Sequence, residues 1–114
     1  MTACQRVLVC LCVPMLLLPA AGRAQNVDGR AIYLKNCRSC HGNTGTPSKQ
    51  ALRETPKIAK LDQAFLAARS DDSLRVVIAN GAGKDMKAFK EKLSPQEIEA
   101  VVKYLRTLGE PPKS

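Results

Sequence analysis

The sequence is poor in rings. It has no tryptophan, one histidine, two tyrosines and two phenylalanines, so aromatics make up 4% of its 114 residues. With no rings interleaved among its cations it lacks a platform for stacking bases, which argues against nucleic acid as a partner. It also lacks strand signal, since no run alternates Val, Ile, Thr or Tyr between turns. There are no internal repeats and no low-complexity tracts. Cysteine is scarce beyond the start of the chain. Cys4, Cys10 and Cys12 fall within the first dozen residues, leaving Cys37 and Cys40 for the rest. Two cysteines cannot make a disulfide framework. Together with the single histidine they fall short of the four ligands a structural zinc site requires.

The first two dozen residues have their own logic. Arg6 precedes an apolar run from Val7 to Leu18, and the small residues of "PAAGRA" follow. Basic, then apolar, then small is the order of a secretory signal peptide. The run is shorter than the ~20 residues a spanning helix needs. Cleavage is expected after Ala24, with Gly22 as the alternative position. Residues 1–24 are therefore read as the signal and 25–114 as one domain, exported to the periplasm and not inserted in the membrane. Removing 24 of the 114 residues leaves 90, few for a self-sufficient core, and such chains often lean on a metal or cofactor. The formal charge falls from +8 to +6 as Arg6 and Arg23 leave.

What remains reads as helix and loop. "SPQE" at 94–97 offers Ser94 as N-cap, Pro95 at the first helical position and Glu97 closing a capping box. Ile98, Val101, Val102, Leu105 and Leu108 then share one face, and Gly109 with Pro111 and Pro112 ends the helix. Lys103 and Arg106 suit the negative end of its dipole. A first helix is predicted from Asp28 to about Cys40, with Val27, Ala31 and Leu34 on its apolar side. On it Gly29, Tyr33, Cys37 and His41 recur every four residues. Another helix is predicted from Ser70 to Gly81 with Leu74, Val77 and Ile78 facing the core, and a short one over 62–69 carrying Phe65 and Leu66. Residues 42–56, rich in Gly, Thr, Pro and Ser, read as loop.

Into this pattern falls "NCRSCHGN", residues 36–43, which packs both remaining thiols and the only imidazole into five positions. A thioredoxin-like redox pair would need a neighbouring βαβ unit, and no strand precedes Cys37. A disulfide across so short a loop would stabilise little. C-x-x-C-H is the attachment signature of c-type haem. Cys37 and Cys40, one helical turn apart, can form thioethers to the two vinyl groups of one haem, and His41 can reach its iron as the proximal ligand. With no second histidine, bis-histidine ligation is excluded. Once Met1 and Met15 are removed the one methionine is Met86, 45 positions after His41, in "NGAGKDMKAF". Gly81 and Gly83 let that segment bend back, and a thioether suits haem iron. Its neighbours Lys84, Asp85 and Lys87 make a poor setting for a buried filler. An open five-coordinate iron or a nearby lysine amine as ligand are the alternatives. Iron held by one nitrogen and one sulfur has no free position for substrate and can only pass an electron.

These residues resemble the small class I cytochromes c of bacteria, all-helical single-haem carriers. "GRAIYLKNCRSCHG" is similar to that family's first helix, with Gly29 and Tyr33 at its glycine and aromatic positions. "MKAFKEKLSPQEIEAVVKYLRTL" is similar to its closing segment, with Met86 at the axial methionine and Val101 and Tyr104 on the face that packs on the first helix. The resemblance implies an all-α cytochrome c-like fold, three to four helices wrapped round one covalently bound haem c, with the Gly29 and Tyr104 regions crossing closely. It further implies a loop proline carbonyl that accepts the histidine's proton, Pro56 first and Pro47 second. Two departures stand out: Lys87 occupies the family's usual proline position, and no tryptophan is present. Leu61, Phe65, Val77, Ile78 and Phe89 are expected to keep water from the haem. Lys84, Lys87, Lys90 and Lys92 either steer the chain to acidic redox partners or are plain solvated surface. The expected function is a monomeric periplasmic one-electron carrier, not an enzyme. A dedicated haem subunit of a larger oxidoreductase complex, or a ligand-binding haem protein with open iron, are the other readings.

Overall fold

A computed structural model describes residues 26–108, so the expected signal segment, residues 1–24, and the predicted helix stop at Gly109 lie outside the described residues. Six helices follow one another: α1 (Gly29–Asn36), α2 (Arg38–His41), α3 (Lys49–Glu54), α4 (Gln63–Ala67), α5 (Asp71–Asn80) and α6 (Pro95–Leu108). Among the described residues there is no strand, only an isolated antiparallel bridge between Ala82 and Met86.

Short polar side chains start every one of these helices but α2. Asp28, Ser48, Asp62 and Ser70 each accept a hydrogen bond from the backbone amide three residues on, at 3.0–3.1 Å. Such caps satisfy amides that the first turn leaves without partners. At α6 the predicted box is complete: Ser94 Oγ accepts from the Glu97 amide at 3.1 Å, and Glu97 Oε2 accepts from the Ser94 amide at 2.8 Å. Gly42 (φ 80°) ends α2 and Gly81 (φ 77°) ends α5. Both take the left-handed backbone that glycine adopts without cost.

Two elements differ from the sequence-based reading. The first predicted helix is split, because Cys37 sits at φ −117°, off the helical value, between α1 and α2. The stretch read wholly as loop contains α3. Its Ser48 cap and the helix formers Lys49, Gln50, Ala51, Leu52, Arg53 and Glu54 carried that signal, outweighed in the reading by the Gly, Thr and Pro around them. The α1 face was also misplaced. Val27 and Ala31 are exposed, while Gly29 and Tyr33 are buried, so the four-residue repeat rather than the Val27/Ala31/Leu34 set marks the inner side.

The core is built on α6. Ile98, Val101, Val102 and Leu105 are buried together with Tyr33 of α1, Leu66 of α4, Leu74 and Ile78 of α5, and Leu61 and Leu93 from the connections. Each such aliphatic burial contributes roughly 1.5–3 kcal/mol. The α1–α6 crossing is tight: a Cβ on Gly29 would stand 1.9 Å from the Ala100 carbonyl oxygen. Next to it the rings of Tyr33 and Tyr104 lie 5.3 Å apart and tilted by 57°, an arrangement aromatic quadrupoles favour. Arg106 serves another helix than its own. Its guanidinium donates to the Leu66 and Arg69 carbonyls at 2.5 and 2.7 Å, covering the C-terminal end of α4, and pairs with Asp71 at the start of α5. Arg75 joins α5 to α6 through Glu99 and also pairs with Asp72.

Candidate haem site

The C-x-x-C-H residues lie on α2 and the break before it. Cys37, on the break, packs half-buried against the core, Cys40 is exposed, and both are free thiols. Burial, and after it the charge of Cys40, raises the Cys37 pKa to about 11, so the group is a protonated thiol at neutral pH. His41 is half-buried, and its Nδ1 lies 3.1 Å from the Ala59 carbonyl oxygen. That bond makes Nδ1 the protonated nitrogen and leaves Nε2 with its lone pair. Burial lowers the His41 pKa, the Ala59 carbonyl acting in the opposite direction, so the ring is held neutral.

The acceptor is thus Ala59, not Pro56 or Pro47. The Ile58 amide bonds the Thr55 carbonyl at 3.2 Å, closing a turn with Pro56 exposed at its corner. The chain comes back against the imidazole only three residues later. Pro47 is buried elsewhere in the loop. This segment is fastened at Leu61, whose amide donates to the Gly45 carbonyl at 2.8 Å. From the other side Tyr33, fully buried, donates its phenol proton to the Gly42 carbonyl at 2.7 Å, next to His41. Burial raises the Tyr33 pKa to about 12, with the charges of Cys37 and Tyr104 adding to it and a backbone hydrogen bond from Gly45 opposing.

Met86 lies half-buried against the same core cluster that Cys37 and Ala59 touch. Its backbone is tied on both sides. The Ala82 amide donates to the Met86 carbonyl at 3.0 Å and the Met86 amide to the Ala82 carbonyl at 3.2 Å. The Phe89 and Lys90 amides bond the Ile78 and Ala79 carbonyls at 3.0 and 3.1 Å, anchoring the segment to the end of α5. Gly81 makes room for it, as a Cβ there would meet the Met86 carbonyl oxygen at 2.4 Å. Where the related pattern carries a proline after the methionine, this chain has Lys87 and a hydrogen-bonded bridge.

Of the expected apolar shell, Leu61 and Ile78 are buried and Phe65 and Phe89 half-buried against the core, while Val77 is 37% exposed. Lys84, Lys87, Lys90 and Lys92 are all exposed. Phe65 carries Arg69 over its face at 3.6 Å, a cation–π contact the sequence reading missed although their i, i+4 spacing permits it.

The donor set fits a haem. Two unpaired thiols flank a single helical turn, a neutral imidazole has one nitrogen committed and the other uncommitted, and a thioether packs on the same core. Bound iron supplies the one-electron couple. The protein's part is to orient the imidazole through Ala59, hold the Met86 backbone in its bridge and surround both with apolar side chains.

Comparison with known proteins agrees. Residues 24–105 match the family described as cytochrome c oxidase, cbb3-type, subunit III. The cytochrome c6 of Anabaena variabilis is 34% identical over 82 residues, covering 72% of this chain and 90% of its own. The cbb3-type cytochrome c oxidase subunit FixP of Bradyrhizobium diazoefficiens is 27% identical over 92 residues, 81% of this chain. The chain spans about 30% of the length of that relative. Among solved structures, the KustC0563 c-type cytochrome superposes with a TM-score of 0.66 at 35% identity, covering 74% of this chain and 100% of that one. Haem c is the covalently bound cofactor of these proteins. With its all-α fold, its single C-x-x-C-H and these relatives, the chain belongs to the cytochrome c family as a class I monohaem member.

Proposed function

We propose that this chain is an exported periplasmic carrier of single electrons. Cys37 and Cys40 form the thioethers to haem c, and His41 and Met86 bind its iron from opposite faces. The observation that carries this reading is the Ala59–His41 hydrogen bond, which commits Nδ1 of the imidazole and leaves Nε2 for a metal, with Met86 packed on the core that Ala59 also touches. Residues 1–24 are its signal and 25–114 its single domain. No helix among the described residues is long and apolar enough to cross a membrane. The lysines at 84, 87, 90 and 92 are exposed around Met86, and Asp85 and Glu91 are the only carboxylates between them. That surface suits a redox partner with an acidic docking face, met by a monomer.

The match over residues 24–105 to an oxidase subunit family supports a second reading, permanent membership of a larger oxidoreductase complex. An open iron is not favoured, since the matched relatives are cytochromes c6 and oxidase subunits. The test is an absorption spectrum of protein made together with haem-attachment machinery. Covalent haem and a sulfur–iron charge-transfer band are expected, and rapid full binding of carbon monoxide by the unmodified protein would rule out Met86 ligation. Gel filtration with candidate partners separates the two readings, because a stoichiometric complex that survives high salt would end the free-carrier one.

A further inference from the structure

The hydrogen bond that orients His41 comes from a segment that is itself irregular. Residues 55–61 belong to no helix, and Ala59 is an alanine with no ring to stiffen it. What holds its carbonyl in place sits one peptide further on. The Ala59 oxygen belongs to the peptide unit 59–60, and the Leu61 amide, bonded to Gly45 at 2.8 Å, belongs to the unit 60–61. Only the Lys60 Cα separates the two fixed planes, and Lys60 itself is exposed. Gly45 is buried and takes φ 85°, which L side chains rarely adopt. A Cβ on it would stand 2.9 Å from the Leu61 carbonyl oxygen and 3.0 Å from the Leu61 Cβ, both on the segment that carries Ala59. Leu61 is in the core, so its side chain cannot simply swing aside.

We propose that Gly45 is a positioning residue for the axial imidazole: with the Leu61 amide it forms a latch that holds the Ala59 carbonyl on His41 Nδ1. The inference rests on His41 as the iron ligand. When the latch is intact the Nδ1 proton stays bonded, and the imidazole donates more electron density to iron. When it is broken the ring loses its acceptor, becomes a poorer donor to ferric iron, and the reduction potential rises.

The test uses the haem-loaded protein and two variants, Gly45→Ala and Ser48→Ala. The second removes the α3 cap in the same loop without touching the latch. Solvent exchange of the His41 Nδ1 proton, followed by NMR, is expected to quicken roughly tenfold or more in Gly45→Ala, as local opening dictates, and the potential to rise. In Ser48→Ala both stay near the unmodified values despite lower stability. Equal, unchanged ring-proton exchange in the two variants would overturn the latch. If Gly45→Ala does not fold, the unmodified protein decides. The Leu61 amide and the His41 ring proton should exchange through one opening with the same urea dependence, and separate dependences would sink the proposal. A spectrum indifferent to His41→Ala would instead end the ligation reading, and the latch with it.

Discussion

The α1–α6 crossing and the two connections that carry Ala59 and Met86 are built by opposite means. At the crossing, side chains and close-packed backbone do the holding: Gly29 lies against Ala100, Tyr33 against Tyr104, and Val101 and Val102 are almost fully buried. In the connections, backbone hydrogen bonds do it: Leu61 to Gly45, Ala82 with Met86, Phe89 to Ile78 and Lys90 to Ala79. The crossing leaves no room for added volume at Gly29, where a Cβ would meet the Ala100 carbonyl. The connections are half-exposed and fix the backbone around His41 and Met86, the side chains proposed to bind the iron. Changes at the first should therefore move stability, and changes at the second should move ligand behaviour.

The largest effect should come from breaking the crossing. Gly29→Val drives a branched side chain into the Ala100 carbonyl, and a loss of roughly 3 kcal/mol or more is expected, the upper end of overpacking costs. Thermal unfolding should show it as a midpoint lower by more than about 12 °C. Gly83→Ala is the counterpart, since a Cβ there meets nothing within 4 Å and only the φ of 57° is strained. Equal losses from the two would mean that the close approach is not what stabilises the crossing.

Met86→Ala tests the other side of the comparison. Stability should fall by about 2 kcal/mol, the low end for emptying a methionine site. The ligand behaviour should change more. The iron becomes open to carbon monoxide, and the potential drops by tenths of a volt, within the roughly 0.8 V that axial ligands span. Redox titration and ligand-binding spectra check this. An unaltered potential would take Met86 off the iron.

Tyr33 belongs to both regions, its ring in the crossing and its hydroxyl on the Gly42 carbonyl beside His41. Its pKa is raised from 10.0 to about 12 in the fold, chiefly by burial. A raised folded pKa means the fold holds the proton more tightly than the unfolded chain does. The contribution is complete below pH 10 and disappears as pH climbs from 10 to about 12. Urea unfolding across that range should show stability falling with pH. Tyr33→Phe should lose about 1 kcal/mol at neutral pH, for the missing hydrogen bond, and should flatten that alkaline slope. A slope that persists in the variant would assign it to another group.

The same division explains what could be read from the sequence. The α6 side of the crossing was legible because it is periodic, its apolar stripe and the capping box at Ser94 being local patterns. The approach of Gly29 to α6 was implied only by the family resemblance, and the apolar residues of α1 pointed to the wrong face. The thiols and the imidazole were legible as a motif. What escaped was non-local and made by backbone. Any residue can present a carbonyl, so nothing in the side chain of Ala59 distinguishes it from Pro56 as the partner of His41. The reach of Arg106 to the end of α4 spans 40 positions and depends on how α6 lies across the core. Helix α3 was missed for a weaker reason, since its Ser48 cap was there to be weighed.

The smallest expected effect is also the finest probe of the connections. Met86 sits in the extended bridge with Ala82, a conformation that a following proline favours. Among the described residues the Lys87 amide donates to no backbone or side-chain acceptor, so Lys87→Pro would give up no hydrogen bond there. By stiffening the unfolded chain it should add about 0.4–1 kcal/mol. If backbone bonding already performs the task of the family's proline, Met86 release from ferric iron, followed by imidazole binding, should slow only about twofold, a shift near 0.4 kcal/mol in the release barrier. Slowing of a hundredfold would show instead that the bridge leaves the methionine loose, and that the lysine at this position makes the ligand exchangeable.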